Sequence, residues 1–320
     1  MKQLEDTNHA LGDRPRLMSI LEDQGYWLFR NVLDPEAVGR LRDLYMAELR
    51  ERDLVDADSR EAVWNGRTPL AIDDGVTSSR YPRLREGKAW ENFVADPAID
   101  SFFASLIGEQ PEWLRASDYY RIVPPGQDRG EDAFALRHQD GQGLRGLDFV
   151  TCWIPLENVD PDVGGLAIVP GSHRAGVAVE RWHDPEFAPP ENWARADYRI
   201  GDVLIFPGAM LHSGLRNRSA DRFRLSLDIR FYLPNSRRPL TGPLVSINSE
   251  DVVIRNEQGE DVGVKLVDDT FILVMVENNE IPQIFSRHEV AGVLSPGRNV
   301  MVVDRDGEAL ILRPAASGGY

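Results

Sequence analysis

At 320 residues, with 42% hydrophobic and 28% charged residues, the chain has the profile of a globular protein able to bury a sizeable core. A net charge of −16 argues against nucleic acid and anionic membrane as partners. No apolar run approaches the roughly 20 residues of a membrane span, and the opening "MKQLEDTNHALGDRPR" is too polar for a signal peptide. Cys152 is the single cysteine, which excludes an internal disulfide and a cysteine-based zinc site and fits a reducing cytoplasm.

In chain order, "RLMSILEDQGYWLFRNVLDPEAVGRLRDLYMAELRERDL" predicts helix, strand, helix. Leu17, Ile20 and Leu21 repeat at helical spacing, and "GYWLFRNV" is short and β-rich. Asp34-Pro35-Glu36 then supplies an acidic N-cap with proline in the first turn, for a helix expected to carry Val38, Leu41, Leu44 and Tyr45 on one face. "SRYPRLREGKAWENFVADPAIDSFFASLIG" predicts a loop followed by a helix.

From Trp113 to Leu233 short β segments alternate with Gly, Pro and Asp: "SDYYRIVPPG", "LDFVTCWIPLENV", "GGLAIVPGSH", "YRIGDVLIFPGAMLHSG" and "DRFRLSLDIRFYLP". This spacing suggests an antiparallel sandwich or barrel. The last segment alternates strictly. Arg222, Arg224, Ser226, Asp228, Arg230 and Tyr232 fall on one face, and Phe223 through Leu233 at odd positions on the other. The polar face suits either solvent or a cavity that holds an anion. "PNSRRPLTGP" (234 to 243) looks like a linker, and beyond it lie "DVVIRN", "VGVKLV", "TFILVMVEN" and the Asp-Gly hairpin "NVMVVDRDGEALILRP".

Six histidines are present, and His138-Gln139-Asp140 is the stretch with metal-site character. On a strand, positions two apart point the same way, so His138 and Asp140 can reach one ion. A 2-His-1-carboxylate face needs one more imidazole. His212 in "PGAMLHSG" is the candidate, with a partly buried strand-end histidine as the equal alternative.

These segments resemble the phytanoyl-CoA dioxygenase family of Fe(II)- and 2-oxoglutarate-dependent oxygenases. The likeness runs from Leu17 to Leu233 through "DQGYWLFRNVL", "HQD", "TCWIPLENVDPDVGGLAIVPGSH" and "GDVLIFPGAMLHSGLRNRSADRFRLS". It implies His138, Asp140 and His212 as iron ligands, with Fe(II), 2-oxoglutarate and O2 as the reactive set. The far carboxylate of 2-oxoglutarate calls for arginine's planar fork. Family spacing selects Arg224 for it, with Arg222 as runner-up; ion pairs of these arginines with Asp221 or Asp228 are the competing account. Thr151 and Trp153 share a strand face and are candidate lining of the co-substrate pocket, a core role being as good for Trp153. Where several relatives carry lysine before the "PPG" turn this chain has Val123, and Arg121, two residues earlier on the same face, can take that place, with an ion pair or solvent exposure as equal alternatives. His173 is expected to cap backbone in the "PGSH" turn. His183 falls in an aromatic segment expected to form a loop over the cavity mouth.

The implied fold is mainly β: a double-stranded β-helix (jelly roll, cupin-like) with flanking N-terminal helices and a small C-terminal β domain. Residues 1–235 form the oxygenase domain and 244–316 a β-rich appendage without ligand candidates, serving architecture or a homodimer, with a substrate lid as the rival role. The implied reaction oxidises an unactivated C–H, by hydroxylation or by cyclisation or desaturation, releasing succinate and CO2. Halogenation is disfavoured because Asp140 occupies the place that halide takes in related halogenases. The chain's acidity and its lack of a basic patch for a nucleotide phosphate favour a small polar or cationic metabolite over an acyl-CoA, in bacterial secondary metabolism. A catalytically silent binding module and a metalloenzyme without 2-oxoglutarate are the alternatives.

Overall fold

The structure is a computed structural model and describes residues 1–70, 81–114, 119–126, 133–178, 188–274 and 283–315. Its elements run β1 (Lys2–Gln3), α1 (Arg14–Gln24), β2 (Trp27–Phe29), α2 (Pro35–Glu51), α3 (Pro82–Glu86), α4 (Ala89–Val94), α5 (Pro97–Ile107), β3 (Tyr119–Val123), β4 (Phe134–His138), β5 (Phe149–Pro155), β6 (Gly165–Ile168), β7 (Ala194–Arg195), β8 (Val203–Pro207), β9 (His212–Leu215) and β10 (Arg224–Tyr232). Then come β11 (Leu240–Ile247), β12 (Asp251–Arg255), β13 (Asp261–Lys265), β14 (Phe271–Val274), β15 (Gln283–Phe285), β16 (Asn299–Arg305) and β17 (Glu308–Pro314). The protein is mainly β, with several sheets. Among the described residues no helix is long and apolar enough to cross a membrane.

Local chemistry sets the helix ends. The Asp13 carboxylate accepts the Arg16 N–H at the start of α1, and Gly25 closes that helix at φ 80°. Asp34 accepts the Ala37 N–H at 2.8 Å, and Pro35 opens α2. On α2 the buried face is Val38, Leu41, Tyr45, Met46 and Leu49, whereas Leu44 is 45% exposed. The apolar stripe is narrower than the sequence suggested, and Leu44 stands at its rim. The single helix expected after the loop is divided into α3, α4 and α5. Gly87 ends the first, and Asp96, whose carboxylate accepts the Ala98 N–H, begins the last with Pro97.

The chain divides into two compact units. The first comprises Met1–Trp113, Asp118–Gln139 and Val150–Pro234. It holds two five-stranded sheets, ordered β1-β7-β6-β9-β4 and β2-β8-β5-β10-β3. One face of the second sheet (Trp27, Phe29, Val150, Cys152, Ile154, Leu225, Leu227, Phe231) shares a core with the helices through Leu17, Val38, Leu41, Tyr45 and Phe103. On its other face Leu28, Trp153, Leu204 and Phe206 pack with Leu166, Ile168 and Ala194 of the first sheet. The strict alternation of β10 is therefore real, and all nine of its residues are buried. Its polar face looks inward, not to solvent.

The second unit comprises Leu114–Ser117, Asp140–Phe149 and Asn235–Tyr320. Its sheet runs β13-β12-β11-β16-β17-β14-β15 and closes on itself through a β13–β17 pairing. Val252, Ile254, Ile272, Val300, Val302 and Leu312 fill its interior, so these apolar strands find burial within their own unit. Asp306 and Gly307 join β16 to β17 with φ of 54° and 82°, as an Asp-Gly hairpin turn requires. β11 begins at Leu240, inside the stretch expected to be a linker, because Leu240 and Gly242 pair with Val302 and Val300. Gly146 lies where an added Cβ would fall 2.6 Å from Leu310 and 3.1 Å from Val303.

Candidate metal centre

β4 and β9 pair antiparallel with His138 directly opposite His212, which brings the ring centroids to 4.2 Å. β4 ends at His138, and Asp140 opens a single turn of 3-10 helix, Asp140–Gln142. The carboxylate thus reaches the site from a tight turn rather than from a continuing strand, as expected from i and i+2 alternation alone. Gly141 and Gly143 follow it, and the Gly143 N–H closes the turn on the Asp140 carbonyl at 3.2 Å. One ligand atom from each of His138, Asp140 and His212 lies within 4.8 Å of the other two.

Nδ1 of His138 is 3.1 Å from the Leu136 carbonyl oxygen, and Nδ1 of His212 is 3.0 Å from that of Met210. A carbonyl only accepts, so in this geometry each Nδ1 carries a hydrogen, which leaves Nε2 as the nitrogen that can face a metal. Metal-binding histidines are oriented in this way, by backbone or carboxylate acceptors on the far nitrogen. The Phe206 ring, 4.8 Å from that of His212, forms an apolar wall. Two neutral imidazoles and a carboxylate fit a divalent transition metal with coordination positions to spare.

The inward face of β10 adds charge. Arg224 is 5% exposed, and its Nη1 donates to the carbonyls of Gly165 (3.0 Å) and Leu215 (2.7 Å). Among the described residues no carboxylate stands within ion-pair distance of it, and its Nε is buried with no hydrogen-bond partner. Burial first, and the nearby Arg121 charge second, pull its pKa down to about 10, against a smaller opposing effect of Asp228. Burial disfavours this cation, and an anion beside it would offset that cost.

The other arginines have partners. Arg222 forms a half-exposed pair with Asp160 at 2.8 Å. Arg121, opposite Ser226 in the β3–β10 register, donates from Nε to Asp228 Oδ2 at 2.5 Å. Burial acts to lower the Arg121 guanidinium, but the Asp228 charge and hydrogen bond outweigh it, so the net displacement is upward. Of the Asp221 and Asp228 pairings considered from sequence, the structure shows Asp228 with Arg121, while Asp160 takes Arg222.

Thr151 is buried on the inward face of β5 and pairs in register with Phe206. Trp153 is 2% exposed and packs edge-on against Tyr198, with centroids 4.6 Å apart; its contacts are those of a core residue. Val123 is buried opposite Arg224. Nε2 of His173 lies 2.9 Å from the Glu22 carbonyl, so this imidazole ties the turn to the end of α1. His183 lies outside the described residues. One buried polar residue has no role assigned from the sequence: Gln139, between two members of the triad. Its burial comes from partners 37 to 70 residues away, which no local pattern discloses.

A mainly β scaffold presenting two imidazoles and one carboxylate at these separations is the arrangement of a non-haem 2-His-1-carboxylate metalloenzyme. The family model described as Phytanoyl-CoA dioxygenase (PhyH) matches residues 21–226. The 1-deoxypentalenic acid 11-beta-hydroxylase of Streptomyces arenae is 30% identical over 260 residues, 73% of this chain and 86% of the relative. Its Streptomyces exfoliatus counterpart is 28% identical over the same shares. Among solved structures, the non-heme alpha ketoglutarate dependent epimerase SnoN from nogalamycin biosynthesis superposes with a TM-score of 0.47 at 20% identity, covering 72% of this chain and 85% of that one. The chain belongs to the phytanoyl-CoA dioxygenase family of Fe(II)- and 2-oxoglutarate-dependent oxygenases.

Proposed function

We propose that the protein oxidises an unactivated C–H of a small polar metabolite in bacterial secondary metabolism, by hydroxylation, ring closure or desaturation. The observation that carries this is the triad: three ligand atoms within 4.8 Å, with each imidazole oriented by a backbone carbonyl at Nδ1. His138, Asp140 and His212 would hold the iron, and Arg224 would take the far carboxylate of 2-oxoglutarate. Iron with 2-oxoglutarate and O2 supplies the oxidising power, releasing succinate and CO2. The chain itself positions the reactants: Arg224 anchors the co-substrate, Asp228 neutralises Arg121 beside it, and Phe206 excludes water from one side of the triad. The two five-stranded sheets are, in this proposal, the halves of a double-stranded β-helix, which residues 1–235 complete. For the closed sheet of the C-terminal region we propose an architectural role, supported by its own apolar core.

The test is spectroscopic. Protein loaded anaerobically with Fe(II) should develop the weak visible charge-transfer band of the chelate when 2-oxoglutarate is added. A silent binding module, or a metalloenzyme that uses no 2-oxoglutarate, would show no band. A substrate screen in which an acyl-CoA clearly outperformed free small molecules would overturn the substrate class.

A further inference from the structure

Gln139 is 1% exposed, and both ends of its amide are hydrogen-bonded. Nε2 donates to the carbonyls of Gly176 (2.9 Å) and Ala209 (2.6 Å), which uses both hydrogens, and Oε1 accepts the Ala178 N–H at 2.7 Å. These partners lie 37, 70 and 39 residues away in sequence. Ala209 stands three residues before His212 in the turn that the Met210 N–H closes on the Pro207 carbonyl. One side chain therefore joins the segment bearing His138 to the segment bearing His212, and joins both to the chain leaving the "PGSH" turn.

We propose that Gln139 is a positioning residue for the metal centre: its amide locks the two ligand-bearing segments in register so that the triad is assembled before metal arrives. The proposal rests on the triad as the metal site. Two features make the amide hard to replace. Donation to two converging carbonyls requires an NH2, and acceptance from Ala178 requires an oxygen on the same carbon, which among side chains of this length glutamine alone provides. Glutamate in its place would set an anionic oxygen against two carbonyl oxygens. Leucine would make none of these three bonds and would release the segments that they join.

The experiment uses the full chain freed of metal and titrated with Co(II), following heat and the visible d–d spectrum. Wild type and His212→Ala come first; a wild-type protein that binds no Co(II) would sink the triad itself, independently of Gln139. Given binding, Gln139→Glu and Gln139→Leu should each weaken Co(II) affinity by roughly 10–100-fold, as loss of outer-sphere orientation does, with an altered d–d spectrum. Thr270→Val is the control for destabilisation alone. Thr270 is likewise a buried side chain bonded to backbone, accepting the Val267 N–H and donating to the Ala309 carbonyl, but in the C-terminal sheet unit. It should lower the melting temperature and leave Co(II) affinity and spectrum at wild-type values. If the Gln139 variants fold metal-free and bind Co(II) like wild type, the proposal is overturned. It is equally overturned if both fail to fold without metal, because Gln139 then holds the fold and not the centre.

Discussion

Replacing Arg224 with alanine removes a buried, inward guanidinium of β10 that has no carboxylate within ion-pair distance among the described residues. Its depression to about 10 corresponds to roughly 3 kcal/mol of unfavourable electrostatics on the bare cation, at about 1.4 kcal/mol for each pKa unit. A carboxylate docking on it recovers much of that. Breaking such a buried pair by deleting one member costs about 3–5 kcal/mol, or more than about a hundredfold in 2-oxoglutarate affinity. Arg224→Lys keeps the charge and loses the fork, and should cost about tenfold. The sign of the pH dependence follows from the direction of the shift. Burial lowers the ligand-free guanidinium to about 10 and a docked carboxylate raises it again, so 2-oxoglutarate affinity should be level through neutral pH and fall only as the pH rises through the ligand-free value. The assay is titration of the anaerobic Fe(II) protein with 2-oxoglutarate, read at the charge-transfer band, with metal binding measured separately and expected to survive. Arg224→Ala protein binding 2-oxoglutarate within about threefold of wild type would refute the reasoning.

Three further expectations bear on neighbouring groups. His138→Ala, Asp140→Ala and His212→Ala should each abolish turnover and Fe(II) binding by calorimetry, while His173→Ala and His288→Ala retain both; full iron affinity in His212→Ala would remove it from the site. Arg222→Ala, which breaks only the half-exposed pair with Asp160, should change stability by no more than about 1 kcal/mol in urea melts and leave 2-oxoglutarate binding near wild type; a larger loss of binding than in Arg224→Ala would exchange their roles. Asp228→Ala strands the largely covered Arg121, whose side chain is 20% exposed, and should cost about 1–3 kcal/mol in the same melts; an unchanged midpoint would show that Arg121 finds another partner.

What the sequence disclosed divides along local and non-local lines. The helix starts at Asp34-Pro35, the Asp306-Gly307 turn and the two faces of β10 are written in adjacent residues, and they stand in the structure as expected. Alternation identifies two faces but not which one is covered. That β10 turns Arg224 inward rather than to solvent depends on Gly165 and Leu215 of the opposing sheet, 59 and 9 residues away. Likewise Arg121 could not be assigned between ion pair and pocket until Asp228, 107 residues on, was placed beside it. Trp153 finds Tyr198, and Gln139 finds its three partners, only through the packing of sheets. The motif spacing gave the site's residues as a family likeness; the tautomers of its histidines are a property of backbone carbonyls, which no spacing reveals.

Cys152 sits at 0% exposure in the face of the second sheet that meets the helices, and burial raises its thiol well above the ordinary value. A thiol so placed presents almost no thiolate to reagents while the helices cover the sheet. It is also the only sulfhydryl in the chain. Alkylation kinetics under native conditions would therefore time the opening of that one interface, giving its local unfolding free energy without any introduced label. For the same reason a cysteine engineered anywhere on the surface would be the single fast-reacting site, so that a spin label or fluorophore could be attached without first removing the native thiol.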